Sequence, residues 1–406
     1  MKRSCIMGIA TSFLLLFSFS VKAEFKVVGY LYNWSSFVSN AKNIDSTKVT
    51  HVNIAFLNPD NNGNLSPTTS LSSVVTIIHN KNLKVLASLG GAGSPSSWGA
   101  LMDVDQRDAF ITKIINLVNT YNFDGIDIDL EGSAIDGNYN DFVLALKAAM
   151  PVGKLLTAAV ATSNGWDIYD ETLAAYDFIN IMSYDYCGTW STSACPHSPY
   201  SSAETDIHYW KITRKLSQDK VILGLPSYGY SWETGGNALL SYKQIVGSYA
   251  RAANQDSIHT NSGGVIYHNG IPTIKQKTTY AMDNAGGVMW WALPMDYPSS
   301  DSRSLMRAMG EITITAIATV EEKQNILLYP NPSSTDITLN FSTTQSGTAT
   351  IKLFDISGKK VGELYNGHLT TGDFSQTFAV NFLAPGIYTC VISTNENVAV
   401  MKLIRE

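Results

Sequence analysis

From residue 24 to about 310, short β-branched runs alternate with amphipathic segments, and this alternation admits few architectures. The strand-like runs cover residues 27–31, 49–57, 83–89, 125–131, 155–161, 178–184, 221–226 and 287–292. Helical stretches include 104–121, 139–150 and 205–216, with Asp103, Asn138 and Ser202 as caps near their starts. Eight strands alternating with helices over this length predict an α/β fold, a (β/α)8 TIM barrel, in preference to an open doubly wound sheet. No Gly-x-Gly-x-x-Gly or Walker-type loop follows the first strand, which argues against a nucleotide site.

Beyond residue 310 the texture changes. Residues 311–325, rich in Thr, Ala and Glu, read as a linker. Residues 326–406 hold short alternating runs broken by turn signals such as Tyr329-Pro330-Asn331-Pro332 and Ala384-Pro385-Gly386, as in a small all-β sandwich-like domain. At the other end, residues 1–23 read as a signal peptide. Lys2 and Arg3 precede an apolar run over residues 9–19, and Val21-Lys22-Ala23 supplies a small-x-small cleavage site. No segment is long enough to span a membrane comfortably, so the mature chain is expected to be exported without a membrane span. Cys187 and Cys195 lie close together in a polar loop and read as a disulfide, in keeping with export. A net charge of -6 without any Lys/Arg cluster excludes nucleic acid as the main partner. The abundance of Trp and Tyr suits a protein that stacks on flat ligands such as sugar rings, although aromatics are most often core.

Residues 124–131, Asp-Gly-Ile-Asp-Ile-Asp-Leu-Glu, carry the chemistry. Period-two alternation puts Asp127, Asp129 and Glu131 on one strand face and Ile126, Ile128 and Leu130 on the other. Neighbouring carboxylates raise one another's proton affinity, a cost that points to catalysis or a metal. A Ca²⁺ or Mg²⁺ site is disfavoured, because such loops place Gly and polar residues between ligands rather than strand-forming aliphatics. No other metal constellation stands out, and the reading calls for no cofactor. In a barrel the active site lies at the C-terminal strand ends, so Glu131 is expected at the mouth as a general acid, with the aspartates behind it.

The motif Asp-Gly-x-Asp-x-Asp-x-Glu resembles the fourth-strand signature of family 18 glycoside hydrolases, the chitinase family. Ser88-Leu89-Gly90-Gly91, Met182-Ser183-Tyr184-Asp185, Gly224-Leu225-Pro226-Ser227-Tyr228-Gly229 and Gly287-Val288-Met289-Trp290-Trp291 resemble its third, sixth, seventh and final strands. The resemblance covers most of residues 26–296 and implies substrate-assisted catalysis with retention, in which the substrate's N-acetyl oxygen attacks C1 to give an oxazolinium ion. It implies Glu131 as acid and then base, and Asp129 as the partner of the acetamido N–H. Asp127 would supply or share a proton with Asp129, Tyr184 would hold the acetamido oxygen, and Asp185 would contact the same sugar. Trp291 would lie beneath that sugar, with Met182, Gly90 and Gly91 as further substrate-binding positions, while Trp290 packs. Tyr30 and Phe56, at the ends of the first two strands, read as site-lining aromatics, and Trp34 as a candidate outer subsite. Tyr184 as a core phenol and Trp291 as plain core are the ordinary alternatives. His51, His79 and His208 read as surface or interface histidines.

Two departures qualify this. Ala92-Gly93 follows the paired glycines where many animal-type members carry a Trp, with Trp98 as an aromatic in reach of the cleft. The segment between Tyr230 and Gly286 is short for the α+β insertion that deepens some family grooves, which predicts a shallow, open cleft and endo action. Residues from about 326, through Leu328-Tyr329-Pro330-Asn331-Pro332, 353–359 and 383–388, resemble the C-terminal sorting domain of the type IX secretion system. A carbohydrate-binding sandwich is the alternative, but the segment has no Trp to form a sugar platform. The expectation is a monomeric, secreted or surface-held chitinase acting on chitin or another N-acetylglucosamine polysaccharide. An endo-β-N-acetylglucosaminidase on N-glycans is the enzyme alternative, and a dead chitin lectin the non-enzyme one. The presence of Glu131 disfavours the lectin.

Overall fold

The computed structural model describes residues 25–321, 326–343, 345–355, 360–394 and 398–406, so the segment read as a signal peptide lies outside the described residues. One compact unit ends at Met309 and a second begins at Gly310. In chain order the first carries β1 (Lys26–Tyr32), α1 (Phe37–Lys42), β2 (His51–Ala55), α2 (Leu71–His79), β3 (Lys84–Gly90), α3 (Trp98–Met102), α4 (Arg107–Tyr121) and β4 (Gly125–Asp129). It continues with α5 (Gly137–Ala149), β5 (Leu155–Val160), α6 (Asp170–Ala175), β6 (Phe178–Ile181), α7 (Tyr200–His208) and β7 (Val221–Pro226). An interruption follows, made of β8 (Tyr228–Trp232), β9 (Ala238–Ser241), α8 (Tyr242–Ser248), β10 (Ser257–His259) and β11 (Val265–Tyr267). Then come α9 (Ile271–Asn284) and β12 (Gly287–Trp291), and α10 (Leu305–Glu321) runs across the division between the units.

All eight expected strands are present, and they close a barrel in the order β1-β12-β7-β6-β5-β4-β3-β2 with parallel pairing throughout. Strands buried on both faces read as continuous apolar runs, and β7, Val-Ile-Leu-Gly-Leu-Pro, is buried along its whole length. Ile126, Ile128 and Leu130 join the apolar layer between barrel and helices. Against it α2 lays Leu71, Val74, Val75 and Ile78, the three-four spacing of an amphipathic helix. Each such side chain contributes roughly 1.5–3 kcal/mol when fully buried. The barrel interior is a separate cluster that includes Val28, Tyr30, Phe178, Ile222 and Met289.

Several local expectations change. The caps differ: Asp136, not Asn138, accepts from the Tyr139 N–H at 3.0 Å to start α5. Asp103 lies before α4, which starts at Arg107, and Ser202 lies inside α7, which starts at Tyr200. Trp98 does not reach a cleft; it is buried against Phe110 and Phe142 between helices. Helix α10 runs on to Glu321, so the segment read as a linker begins as helix. The stretch after Tyr230 does hold an α+β insertion, a four-stranded antiparallel sheet in the order β10-β11-β8-β9 with α8 beside it, compressed into few residues. The premise for a shallow cleft therefore falls.

The second unit is all-β. β13 (Leu327–Tyr329) and β14 (Asp336–Thr343) form one antiparallel sheet with β17 (Gly372–Ala379), while β15 (Gly347–Phe354), β16 (Lys360–Leu369), β18 (Gly386–Ser393) and β19 (Val398–Arg405) form another. Ile337, Leu339 and Phe341 of the first sheet share a core with Ile351, Leu353 and Ile392 of the second.

Cys187 and Cys195 are disulfide-bonded in the loop between β6 and α7. In the chain-entropy account, a loop this short stabilises the fold by about 2–3 kcal/mol. Replacing both cysteines by Ser is expected to lower the barrel's urea-unfolding free energy by about that amount; an unchanged midpoint would show that native strain cancels the gain.

Candidate active site

Strand β4 points Asp127 and Asp129 into the barrel and ends there, leaving Glu131 two residues on at the C-terminal rim. Asp127 is wholly buried and saturated with donors. Its Oδ2 accepts from the Tyr30 hydroxyl at 2.7 Å and the Ser88 hydroxyl at 2.8 Å. Its Oδ1 accepts from Thr157 at 2.6 Å and from the Asn180 amide at 3.2 Å. Burial pushes the carboxyl up, and these four bonds pull it back. Burial outweighs those bonds, so the carboxyl stays above its ordinary value, one strand position behind Asp129 on the same face.

Asp129 is also buried, but its Oδ1 has no partner among the described residues. Burial first, then Glu131 and Asp127, push its carboxyl well above the usual range. Glu131 is half-buried, and desolvation followed by the charge of Asp185 raises it too. The three acids of one strand thus have unequal surroundings: one satisfied by donors, one desolvated beside two anions, one at the rim.

The exit of β6 supplies the facing wall. Tyr184 is buried, and among the described residues its hydroxyl meets just the Met289 sulfur, at 3.8 Å. Asp185 takes a left-handed backbone with φ of 63°, which Asp tolerates better than most residues. Its Oδ1 accepts from the hydroxyls of Tyr228 at 2.5 Å and Tyr230 at 3.1 Å, both from β8. Buried His197 donates from Nε2 to the Tyr228 carbonyl and sets Nδ1 3.4 Å from the same Asp185 oxygen.

Trp291, partly exposed at the end of β12, lies in an aromatic nest. It stacks on Phe56 at 5.6 Å and meets Tyr30 and Tyr32 at an angle. Trp34 is exposed and stacks on Tyr32 at 4.3 Å. Trp290 is buried in the helix-facing core, as expected.

Some expected ligand-facing residues prove to support others. Tyr30 does not line a surface; it is fully buried under Trp291 and holds Asp127. Gly90 and Gly91 are buried, with φ of 120° and 86°, and bring β3 against the β4 exit. The Gly91 N–H donates to the Asp129 carbonyl at 2.6 Å, and a Cβ on Gly90 would strike that same carbonyl. Met182 is half-buried and packs against the interior cluster. Ser88, Thr157, Asn180, Tyr228, Tyr230 and His197 had no assigned role in the sequence. A usable signal existed for two of them: Thr157 and Asn180 are lone polar residues inside apolar strands, and such residues need partners.

A barrel that raises one rim carboxyl beside a desolvated aspartate, over a floor of aromatics, has the makings of a glycoside hydrolase. The chain belongs to glycosyl hydrolases family 18, whose family model matches residues 26–296. It is a glycoside hydrolase of the chitinase type. Residues 327–406 match the secretion system C-terminal sorting domain. Among solved structures, the chitinase ChiB from the chitin utilization locus of Flavobacterium johnsoniae is 34% identical, with a TM-score of 0.67 over 72% of this chain and 95% of that one. A chitinase from Bacteroides thetaiotaomicron is 28% identical, with a TM-score of 0.64 over 71% and 96%. Endochitinase 1 of Metarhizium robertsii is 24% identical across 74% of this chain and 87% of its own. A probable endochitinase of Caenorhabditis elegans is 35% identical over 180 residues, 37% of this chain but only 29% of that protein.

The cause of the Glu131 shift can be separated experimentally. With ¹³C-labelled glutamate, the Glu131 carboxyl is expected to titrate above the ordinary carboxylate range. Asp185→Asn removes the nearby anion, so the titration should move down in pH but not all the way, because burial remains. An unmoved or rising midpoint would refute this account.

Proposed function

We propose that the protein is an exported, retaining chitinase that cleaves β-1,4-linked N-acetylglucosamine polymers by substrate-assisted catalysis. The observation that carries the reading is the contrast between Asp127 and Asp129. Asp127 is bound on every side, whereas Asp129 is desolvated with an unpartnered oxygen beside Glu131. A buried carboxylate oxygen without a partner among the described residues is costly to leave open, and an acetamido N–H would meet that need.

In this mechanism the raised Glu131 carboxyl protonates the glycosidic oxygen while the acetamido oxygen attacks C1. The C1–O bond to the leaving sugar breaks, and an oxazolinium ion forms. Asp129 accepts from the acetamido N–H and stabilises the positive ring. The Tyr184 hydroxyl, lacking a strong partner, holds the acetamido oxygen in line. Asp185 contacts the same sugar, and Trp291 stacks beneath it. Glu131, now a carboxylate, takes a proton from water, which attacks C1 from the face that the leaving sugar vacated while the C1–O bond of the oxazolinium breaks and restores the acetamido group; the configuration is retained. Trp34 extends the aromatic surface as an outer subsite. Endo action fits the endochitinases among the relatives; the compact insertion removes the other argument for it. The sorting domain directs the chain through the type IX machinery to the cell surface or medium.

Glu131→Gln is expected to lower turnover on a chitin oligomer by at least about 10²-fold while leaving binding largely intact. Near-normal activity would overturn the acid assignment. A high-mannose glycopeptide assayed beside the oligomer tests the substrate; cleavage of the glycopeptide alone would make the enzyme an endo-β-N-acetylglucosaminidase. Removing residues 326–406 should trap the enzyme in the periplasm, and unchanged secretion would sink the sorting role.

A further inference from the structure

Lys277 of α9 is wholly buried, an unusual place for an ammonium. Its Nζ donates to the Ser198 carbonyl at 2.7 Å, the Ser198 hydroxyl at 2.7 Å and Asn269 Oδ1 at 2.9 Å. Three donors meet three acceptors, which suits the charged form; a neutral amine would leave one acceptor unserved. Burial pushes the group down to about 7, and the charges of Asp256 and Asp206 pull the other way. Among the described residues no carboxylate lies within ion-pair distance of it. An aliphatic side chain would be buried here at far lower cost, so the charge needs a reason.

The reason lies one bond away. The Ser198 hydroxyl donates onward to the carbonyl of Ser183 at 2.6 Å, and Ser183 directly precedes Tyr184 and Asp185. Asn269 Nδ2 braces the same Ser198 carbonyl at 2.9 Å. Next to Ser198, the His197 carbonyl accepts from the Tyr186 N–H at 3.0 Å. The two ends of the β6–α7 loop are thus joined across its base, and the join is anchored on α9.

We propose that Lys277 is a positioning residue: acting through Ser198, it fixes the Ser183 carbonyl and with it the aim of Tyr184 and Asp185. This rests on the reading of those two side chains as the grip on the acetamido sugar. It does not require Lys277 to touch the substrate.

The test is a double-mutant cycle in the full chain, using kcat and KM on a chitin oligomer. Lys277→Met and Ser198→Ala are each expected to lower kcat by about tenfold or more, with a smaller change in KM. In a Tyr184→Phe/Asp185→Asn background, where both aimed groups are already altered, either change should lower kcat by no more than about twofold. Equal losses in both backgrounds, or single variants with unaltered kcat, would overturn the proposal while leaving the chitinase reading in place. Should Lys277→Met fail to fold, Ser198→Ala alone decides the cycle. A wild-type protein that cleaves neither the oligomer nor a high-mannose glycopeptide would defeat both readings together.

Discussion

One buried carboxylate ties the barrel to its chemistry. Asp127 on β4 receives hydrogen bonds from Tyr30 on β1, Ser88 on β3, Thr157 on β5 and Asn180 on β6. Those donors converge only if the sheet closes in register, and Ser88, Asp127 and Thr157 are indeed Cα partners across three adjacent strands. A buried carboxylate missing even one such donor would be costly. The same closure leaves Asp129 desolvated, without comparable donors among the described residues, and it sends Glu131 to the rim. Unequal proton affinities along one strand therefore come from how the neighbouring strands are furnished.

The fold was legible because it depends on patterns the chain repeats. Apolar runs and amphipathic stretches alternate eight times, and burial on both strand faces narrows the choice to a closed barrel or an open doubly wound sheet, of which the barrel forms. The acids were legible because three carboxylates at period two have few structural uses. The supports of those acids were not. Tyr30, Gly90 and Gly91 sit at strand ends, where a ligand contact and a packing role look alike in sequence; only the closed barrel separates them. Tyr228 and Tyr230 reach Asp185 across long stretches of chain, and His197 reaches it across a loop. Helix caps misled for a simpler reason, because several polar residues crowd each helix start and local sequence does not choose among them.

The insertion was misjudged on length. A four-stranded sheet needs few residues when its strands are as short as β10 and β11, each three residues long. It contributes to the site directly, because β8 supplies the two hydroxyls that hold Asp185.

That attachment has a consequence for redesign. The insertion and the orientation of Asp185 share one mechanical part, since β8 is both the first strand of the insertion and the mount for Tyr228 and Tyr230. Lengthening the insertion therefore risks disturbing the two hydroxyls that hold Asp185. Variants that enlarge the groove should keep residues 228–232 and their pairing to β9 and β11 unchanged, and accept new sequence only in the loops beyond.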